Sequence, residues 1–320
     1  MPGLTPRFGT DKMLIRKNSL RVLANKLSQP DIKGRSLWAD ARKRFVHNKA
    51  AFTGLVVLIL VTLFAILGEW LAQFSNDEID FNVIGQVAEL GGPSFANGHY
   101  FGTDDLGRDL FARVVQGTQI SLMVGFVGAA IAVVVGTLYG AIAGYVGGQV
   151  DNIMMRIVDM LMAIPYMFVI ILLLVMFGRS ISMLFVGIGL LSWLDMSRIV
   201  RGQTLSLKNK EFIEAARATG VSSHKIILRH ILPNLMGVVA VYATLLVPLM
   251  ILTESFISFL GLGVQEPDTS WGALILEGAG TMQYGTLWQL AFPLFFFVVT
   301  LFSFFFIGDG LRDALDPKDR

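Results

Sequence analysis

Six stretches of this chain stay apolar for about the twenty residues a helix needs to cross a bilayer. They are Ala51–Leu71, Ser121–Tyr145, Met154–Phe177, Met183–Val200, Met236–Phe259 and Leu287–Ile307. Hydrocarbon offers no water to a bare N–H or C=O, so stretches of this kind fold as helices. The expected fold is an all-α polytopic membrane protein with six transmembrane helices. Composition agrees, because only 16% of residues are charged, against about a quarter in soluble domains. Mean hydropathy is +0.63. The first apolar stretch is too long, and too far from the start, for a cleavable signal peptide; it reads as a retained span.

The fourth stretch is the weakest, since Asp195 and Arg198 cut its apolar run short. Charge decides in its favour. With six spans and the N-terminus inside, 23 of the 26 Lys and Arg residues fall on the cytoplasmic side, leaving only Arg108, Arg113 and Arg179 outside. Without the fourth span, the seven basic residues from Arg198 to Arg229 would move outside. The positive-inside bias therefore predicts six spans with both termini in the cytoplasm.

The expected organisation is a cytoplasmic basic tail over 1–49, a first span over 50–72 and an acidic periplasmic segment over 73–120. A core of five spans follows over 121–307, and a cytoplasmic tail over 308–320. The basic tail ends in "GRSLWADARKRFVHNKA", where Leu37, Trp38, Ala41 and Phe45 share one helical face beside Arg42, Lys43 and Arg44. That pattern predicts a helix lying on the inner leaflet.

Several functions are excluded. A net charge of +2 makes no case for nucleic acid. The chain has no cysteine, hence no disulfide, thiolate metal site or cysteine nucleophile. His47, His99, His224 and His230 all lie outside the spans and are not grouped as ligands, and no span supplies a histidine base to an intramembrane enzyme. "GTDDLGRD" is acidic, but it lacks the alternation and the final Glu of a calcium loop. A stand-alone secondary transporter would show repeated halves or several paired intramembrane charges, and neither is visible.

One polar stretch interrupts the apolar pattern: "EFIEAARATGVSSHKIILRHILPN", from Glu211 to Asn234. Lys210, Glu214 and Arg217 fall on one side of a helix, with Phe212, Ile213 and Ala216 on the other. Gly220 suits the position after a helix C-terminus, and Ser222 or Ser223 can cap a second helix that ends at Pro233. In that helix Ile227 and Ile231 share one face, Lys225 and Arg229 another. The adjacent Ala215 and Ala216 leave the first helix surface low, open to close approach by a partner. Periodicity alone leaves docking level with a merely solvated hairpin. A DNA-reading role is excluded by tethering at both ends to a bilayer.

Within the spans, Glu254 is either a pathway or gate residue or an inter-helix hydrogen-bond partner. Arg156 with Asp159, and Asp195 with Arg198, have the spacing of local ion pairs. Pro165, Pro248 and Pro293 are expected to kink their spans. The Phe residues at 295–297, 302 and 304–306 read as lipid-facing or packing residues.

Glu214-Ala215-Ala216, three residues, Gly220 and then Leu232-Pro233 resemble the EAA loop of the membrane subunits of ABC importers, over 201–232 here. His230 departs from the general pattern but agrees with the "H-x-LPN" of peptide-transport members. "HYFGTDDLGRDLFARV", "ESFISFLGLG", "SWGALI" and "GDGLRDALDPKDR" resemble signatures of dipeptide, oligopeptide and nickel permeases. "GRSLWADARKRFVHNKA" and "WLDMSRIVRGQTLSLKNKEFIEAA" look like the C-type subunits of oligopeptide permeases, so that the likeness runs from Gly34 to Arg320.

The resemblance implies a type I ABC importer permease fold in the bacterial inner membrane, with oligopeptides as cargo and dipeptides or nickel as the alternative. It implies no cofactor in this subunit. ATP and Mg would be bound by two partner ATPase subunits, in keeping with the absence of a G-x-x-x-x-G-K-[ST] motif. It further implies a homologous B-type permease partner and a periplasmic peptide-binding protein; the "GTDDLGRD" stretch reads as a contact region for that protein or as a structural outer loop. By the match, Glu214, Ala215, Ala216 and Gly220 carry the ATPase contact.

Overall fold

Asn48 starts the first span: its Oδ1 accepts from the N–H groups of Ala50 (3.1 Å) and Ala51 (3.2 Å), two of the donors that a helix N-terminus leaves free. The structure is a computed structural model that describes residues 37–315. Helix α1 is Leu37–His47 and α2 is Lys49–Leu71; the 23 residues of α2 reach about 34 Å. A single turn, α3 (Val87–Leu90), lies in the otherwise irregular 73–109 segment. Then follow α4 (Leu110–Val146), α5 (Gly148–Met162), α6 (Tyr166–Phe177), α7 (Ile181–Leu207) and α8 (Glu211–Ala218). The last three are α9 (Ser223–Phe259), α10 (Trp271–Thr281) and α11 (Trp288–Leu315). Among the described residues, α2, α4, α7, α9 and α11 are each long and apolar enough to cross a membrane. The pair α5–α6 makes a sixth span if its two parts count as one.

Several boundaries differ from expectation. Helix α4 begins at Leu110, eleven residues before the apolar stretch that opens at Ser121. Arg113, Gln116 and Gln119 lower the hydropathy of that first part, yet Arg113 is buried there by pairing with carboxylates. The third span is broken over 163–165 with a 72° bend, because Pro165 brings no N–H and its ring disfavours a helical residue before it. By contrast, α9 and α11 run on through Pro248 and Pro293.

The second hairpin helix does not stop at Pro233. It passes through a π-turn at Ile227–Ile231, where Leu232 N–H reaches Ile227 C=O, and the wider turn accommodates the N–H that Pro233 lacks. Within the 201–232 stretch only 208–210 and 219–222 lie outside helices. The segment between the last two spans, Gly261–Thr286, contains α10, whose Trp271 is 0% exposed among Leu301, Phe304 and Ile251. Helix α11 also continues past Ile307 to Leu315. The tails 1–36 and 316–320 lie outside the described residues, as do the side chains of Leu37 and Trp38 invoked for the interfacial helix.

Residues from Ala41 onward form one compact unit, with α4 packed against α2, α7, α9, α10 and α11. Gly136, Gly140 and Gly144 line one side of α4 at every fourth residue. A Cβ there would lie 2.7 Å from Trp193 O, 2.3 Å from Ser197 O and 2.9 Å from Arg201 O respectively. The α4 and α7 backbones therefore touch. In a bilayer such contact replaces the hydrophobic effect as the force between helices. Helix α11 crosses α2 in the same manner, Gly54 meeting Ser303 and Gly310 meeting Ala51. The outer faces carry Phe52, Leu60, Ile66, Phe295 and Phe302, while Phe304 turns inward.

Gly140→Val places three carbons inside this contact, so its detergent-solubilised protein should unfold at markedly lower temperature, in keeping with a cost of about 1–3 kcal/mol or more for overpacking. Gly202→Val, where nothing lies within 4 Å of an added Cβ, should leave the transition near wild type.

Candidate functional site

Helix α8 has a wet and a dry side. Ile213 is 0% exposed and Ala216 is buried, both within a cluster made by Ala141 and Tyr145 of α4, Met196 and Val200 of α7, and Ile227, Ile231 and Leu235 of α9. Glu211, Glu214, Ala215, Arg217 and Ala218 are exposed. So is Phe212, at 43%, although the pattern grouped it with the inner face. Among the described residues the Glu214 carboxylate has no hydrogen-bond or ion-pair partner. Of the four residues singled out by resemblance, Ala216 thus anchors the helix from within, while Glu214, Ala215 and Gly220 are outward.

The turn after α8 explains its glycine. Gly220 N–H donates to Arg217 O (3.0 Å) and Val221 N–H to Ala216 O (3.1 Å), the bonding of a Schellman turn. It requires the left-handed backbone Gly220 adopts, at φ +79°. Nothing lies within 4 Å of an added Cβ, so conformation and not space selects glycine. Ser222 stands at the next N-cap, but its hydroxyl makes no capping bond. The hairpin is also tied down by Lys208 Nζ, which donates to Gly144 O (3.0 Å), and by the Arg217 guanidinium, 5.7 Å from the centroid of the Tyr145 ring.

Glu254 lies at the other end of α9 and is 0% exposed. Its Oε2 accepts from Ser121 Oγ of α4 (3.0 Å) and Ser255 Oγ (3.2 Å), and its Oε1 from Ser258 Oγ (2.7 Å). Ser121 Oγ in turn accepts from Trp271 N–H at 3.2 Å, and Trp271 Nε1–H donates to Thr118 Oγ1 at 3.1 Å. The carboxylate knots α4, α9 and α10 together. Of its two expected roles, these contacts match the inter-helix hydrogen bond.

Near the same end, Arg113 is 2% exposed. Its Nη1 lies 2.5 Å from Asp104 Oδ2 and 2.6 Å from Glu277 Oε2, and its Nη2 donates to Glu277 Oε1 at 3.0 Å. Arg108 Nε pairs with Asp104 (2.7 Å) and Arg108 Nη1 with Glu266 (2.9 Å). Asp109 caps α4 through Ala112 N–H (2.8 Å) and lies 2.8 Å from His99 Nδ1. Burial pushes the Asp109 carboxyl above its usual range, against the pull of those two contacts. Asp104 and Asp109 of the "GTDDLGRD" stretch are therefore committed to internal pairing, whereas Asp105 is exposed.

The two local ion pairs expected in the spans are not formed. Asp159 pairs instead with Arg198, and Asp151 holds Arg201 by two bonds, 2.5 and 2.6 Å. Helix α5 lies against α7, and the fork geometry across the contact supplants the i, i+3 spacing. Arg156 and Asp195 are left exposed and, among the described residues, without a partner.

Bundle and hairpin together define a class: a polytopic helical membrane protein with a short polar hairpin packed against the ends of its spans. Residues 136–320 match the family profile "Binding-protein-dependent transport system inner membrane component", and residues 36–87 that of the "N-terminal TM domain of oligopeptide transport permease C". The chain belongs to the family of inner membrane components of binding-protein-dependent transport systems. It is a multi-pass permease component and not the ATPase.

The oligopeptide transport system permease protein OppC of Escherichia coli (strain K12) is 58% identical over 308 residues, which cover 96% of this chain and 100% of that protein. OppC of Haemophilus influenzae is 52% identical, covering 93% and 94%. The dipeptide transport system permease protein DppC of Bacillus subtilis is 43% identical, covering 93% and 90%. A chain from an inward-facing structure of the MetNI methionine ABC transporter superposes with a TM-score of 0.52 at 17% identity, over 62% of this chain and 95% of that one. That likeness supports the fold.

Arg113→Ala removes one of the two arginines paired with buried Asp104, which should cost less than the roughly 3–5 kcal/mol of a buried charge left with no partner. Thermal unfolding in detergent should fall accordingly, and Arg113→Lys, which cannot make the fork to Glu277, should recover only part of the loss.

Proposed function

We propose that this chain is the C-type permease subunit of an importer for oligopeptides, with both termini in the cytoplasm. A homologous B-type permease completes the pathway, two ATP-binding subunits hold ATP and Mg, and a periplasmic binding protein delivers the peptide. The observation that carries the coupling role is the division of α8: Ile213 and Ala216 are sealed into the ends of α4, α7 and α9, while the unpartnered Glu214 and the low surface of Ala215 face outward. A subunit that grips this outer side moves three spans with it. The oligopeptide assignment is supported by the OppC relatives at 52–58% identity.

Glu214→Lys reverses the charge offered to the ATPase, and Gly220→Pro cannot adopt φ +79°. Both variants should insert in the membrane yet give near-background peptide uptake in cells. Normal uptake by either would remove the docking assignment. Competition against a labelled pentapeptide by unlabelled peptides of graded length should favour three residues and more; a clear preference for dipeptides would reassign the cargo.

A further inference from the structure

The break between α5 and α6 lies at membrane depth and is not covered by this chain. Helix α6 has 12 residues, about 18 Å, against a hydrocarbon core of about 30 Å. It packs along α7, Ile170 against Gly187, and both helices meet at the turn over 178–180. The break therefore falls near the middle of the bilayer. Ala163, Ile164 and Pro165 are exposed. The C=O groups of Ala163 and Ile164 and the N–H groups of Tyr166 and Met167 have no hydrogen bond among the described residues.

Polar groups continue from the break in one line. Asp159, one turn before Ala163, pairs with Arg198 of α7, and Asp195 lies one turn from Arg198, about 21 Å along α7 from Ile181. All three are exposed. Bare backbone and an unpaired carboxylate are not tolerated against lipid; at this depth they face protein or a water-filled cavity.

We propose that this strip, Asp195, Arg198–Asp159 and the broken backbone over 163–167, lines the translocation pathway and contacts the main chain of the transported peptide. The proposal rests on the peptide-importer reading and specifies the contact surface. Free amide donors and acceptors are the groups that an extended peptide presents whatever its side chains, so a strip of this kind takes cargo of varied sequence. An apolar wall would have to match side chains instead.

The cysteine-free sequence offers a direct test. Ala163→Cys, Ile164→Cys and Asp195→Cys are made singly, with Leu60→Cys on the exposed face of α2 as the lipid-side control. Each is assembled with cysteine-free partner subunits in liposomes and treated with a charged thiol reagent, which needs the hydrated thiolate. Positions 163, 164 and 195 should react about tenfold faster than position 60, and trialanine with its binding protein should slow them several-fold. Reaction no faster than at position 60, even where trialanine is still imported, overturns the pathway assignment. Fast reaction that trialanine leaves unchanged overturns the main-chain contact. Failure of the wild-type complex to import trialanine or longer peptides would strike instead at the importer reading beneath both.

Discussion

The approach of α4 to α7 through Gly136, Gly140 and Gly144 is the contact on which the rest of the molecule depends. Helices in lipid gain little by hiding apolar side chains, since the solvent is apolar too; they gain by close contact. Backbone against backbone is the closest available, and it sets the position of everything that α4 and α7 carry. At one end that is the floor on which α8 rests, made by Tyr145, Met196 and Val200. At the other it is Ser121, which reaches Glu254, and Arg113, which gathers Asp104 and Glu277.

Charge is handled differently at the two ends. Among the 99–113 and 266–277 residues, buried Arg108 and Arg113 pair with Asp104, Glu266 and Glu277, so a loop that looks like a surface feature becomes the packed cap of α4. On α8 the acids stay in solvent and unpartnered. A buried pair gives registry, whereas an exposed unpaired carboxylate remains available to another molecule.

Much of this was legible in the sequence, because lipid imposes a simple rule on composition. Apolar length marked the spans, the bias of Lys and Arg favoured keeping the weak fourth one, and the Glu-Ala-Ala and Gly spacing marked the hairpin. What escaped were features whose evidence is distributed. Residues 110–120 were excluded from α4 for carrying Arg113, whose countercharges lie far along the chain at Glu277 and close by at Asp104. Helix α10 was hidden for a related reason: Trp271 needs partners on α4 and α11 before a short helix can be buried. The ion pairs were misassigned because spacing along one helix says nothing about the helix beside it. The glycine stripe of Gly136, Gly140 and Gly144 is open to view in its four-residue period.

Helix α9 gives the hairpin mechanical advantage. It runs unbroken from Ser223, beside α8, to Phe259, beyond Glu254, a rod of about 55 Å. Pivoted near one end, such a rod needs a tilt of only about 5° to carry the other through about 5 Å, close to one helical pitch. Because Glu254 is moored to Ser121 and, through it, to Trp271, that displacement would load α10 as well as α9. On the coupling role proposed for α8, a small stroke at one end of this rod would become a larger one at the other.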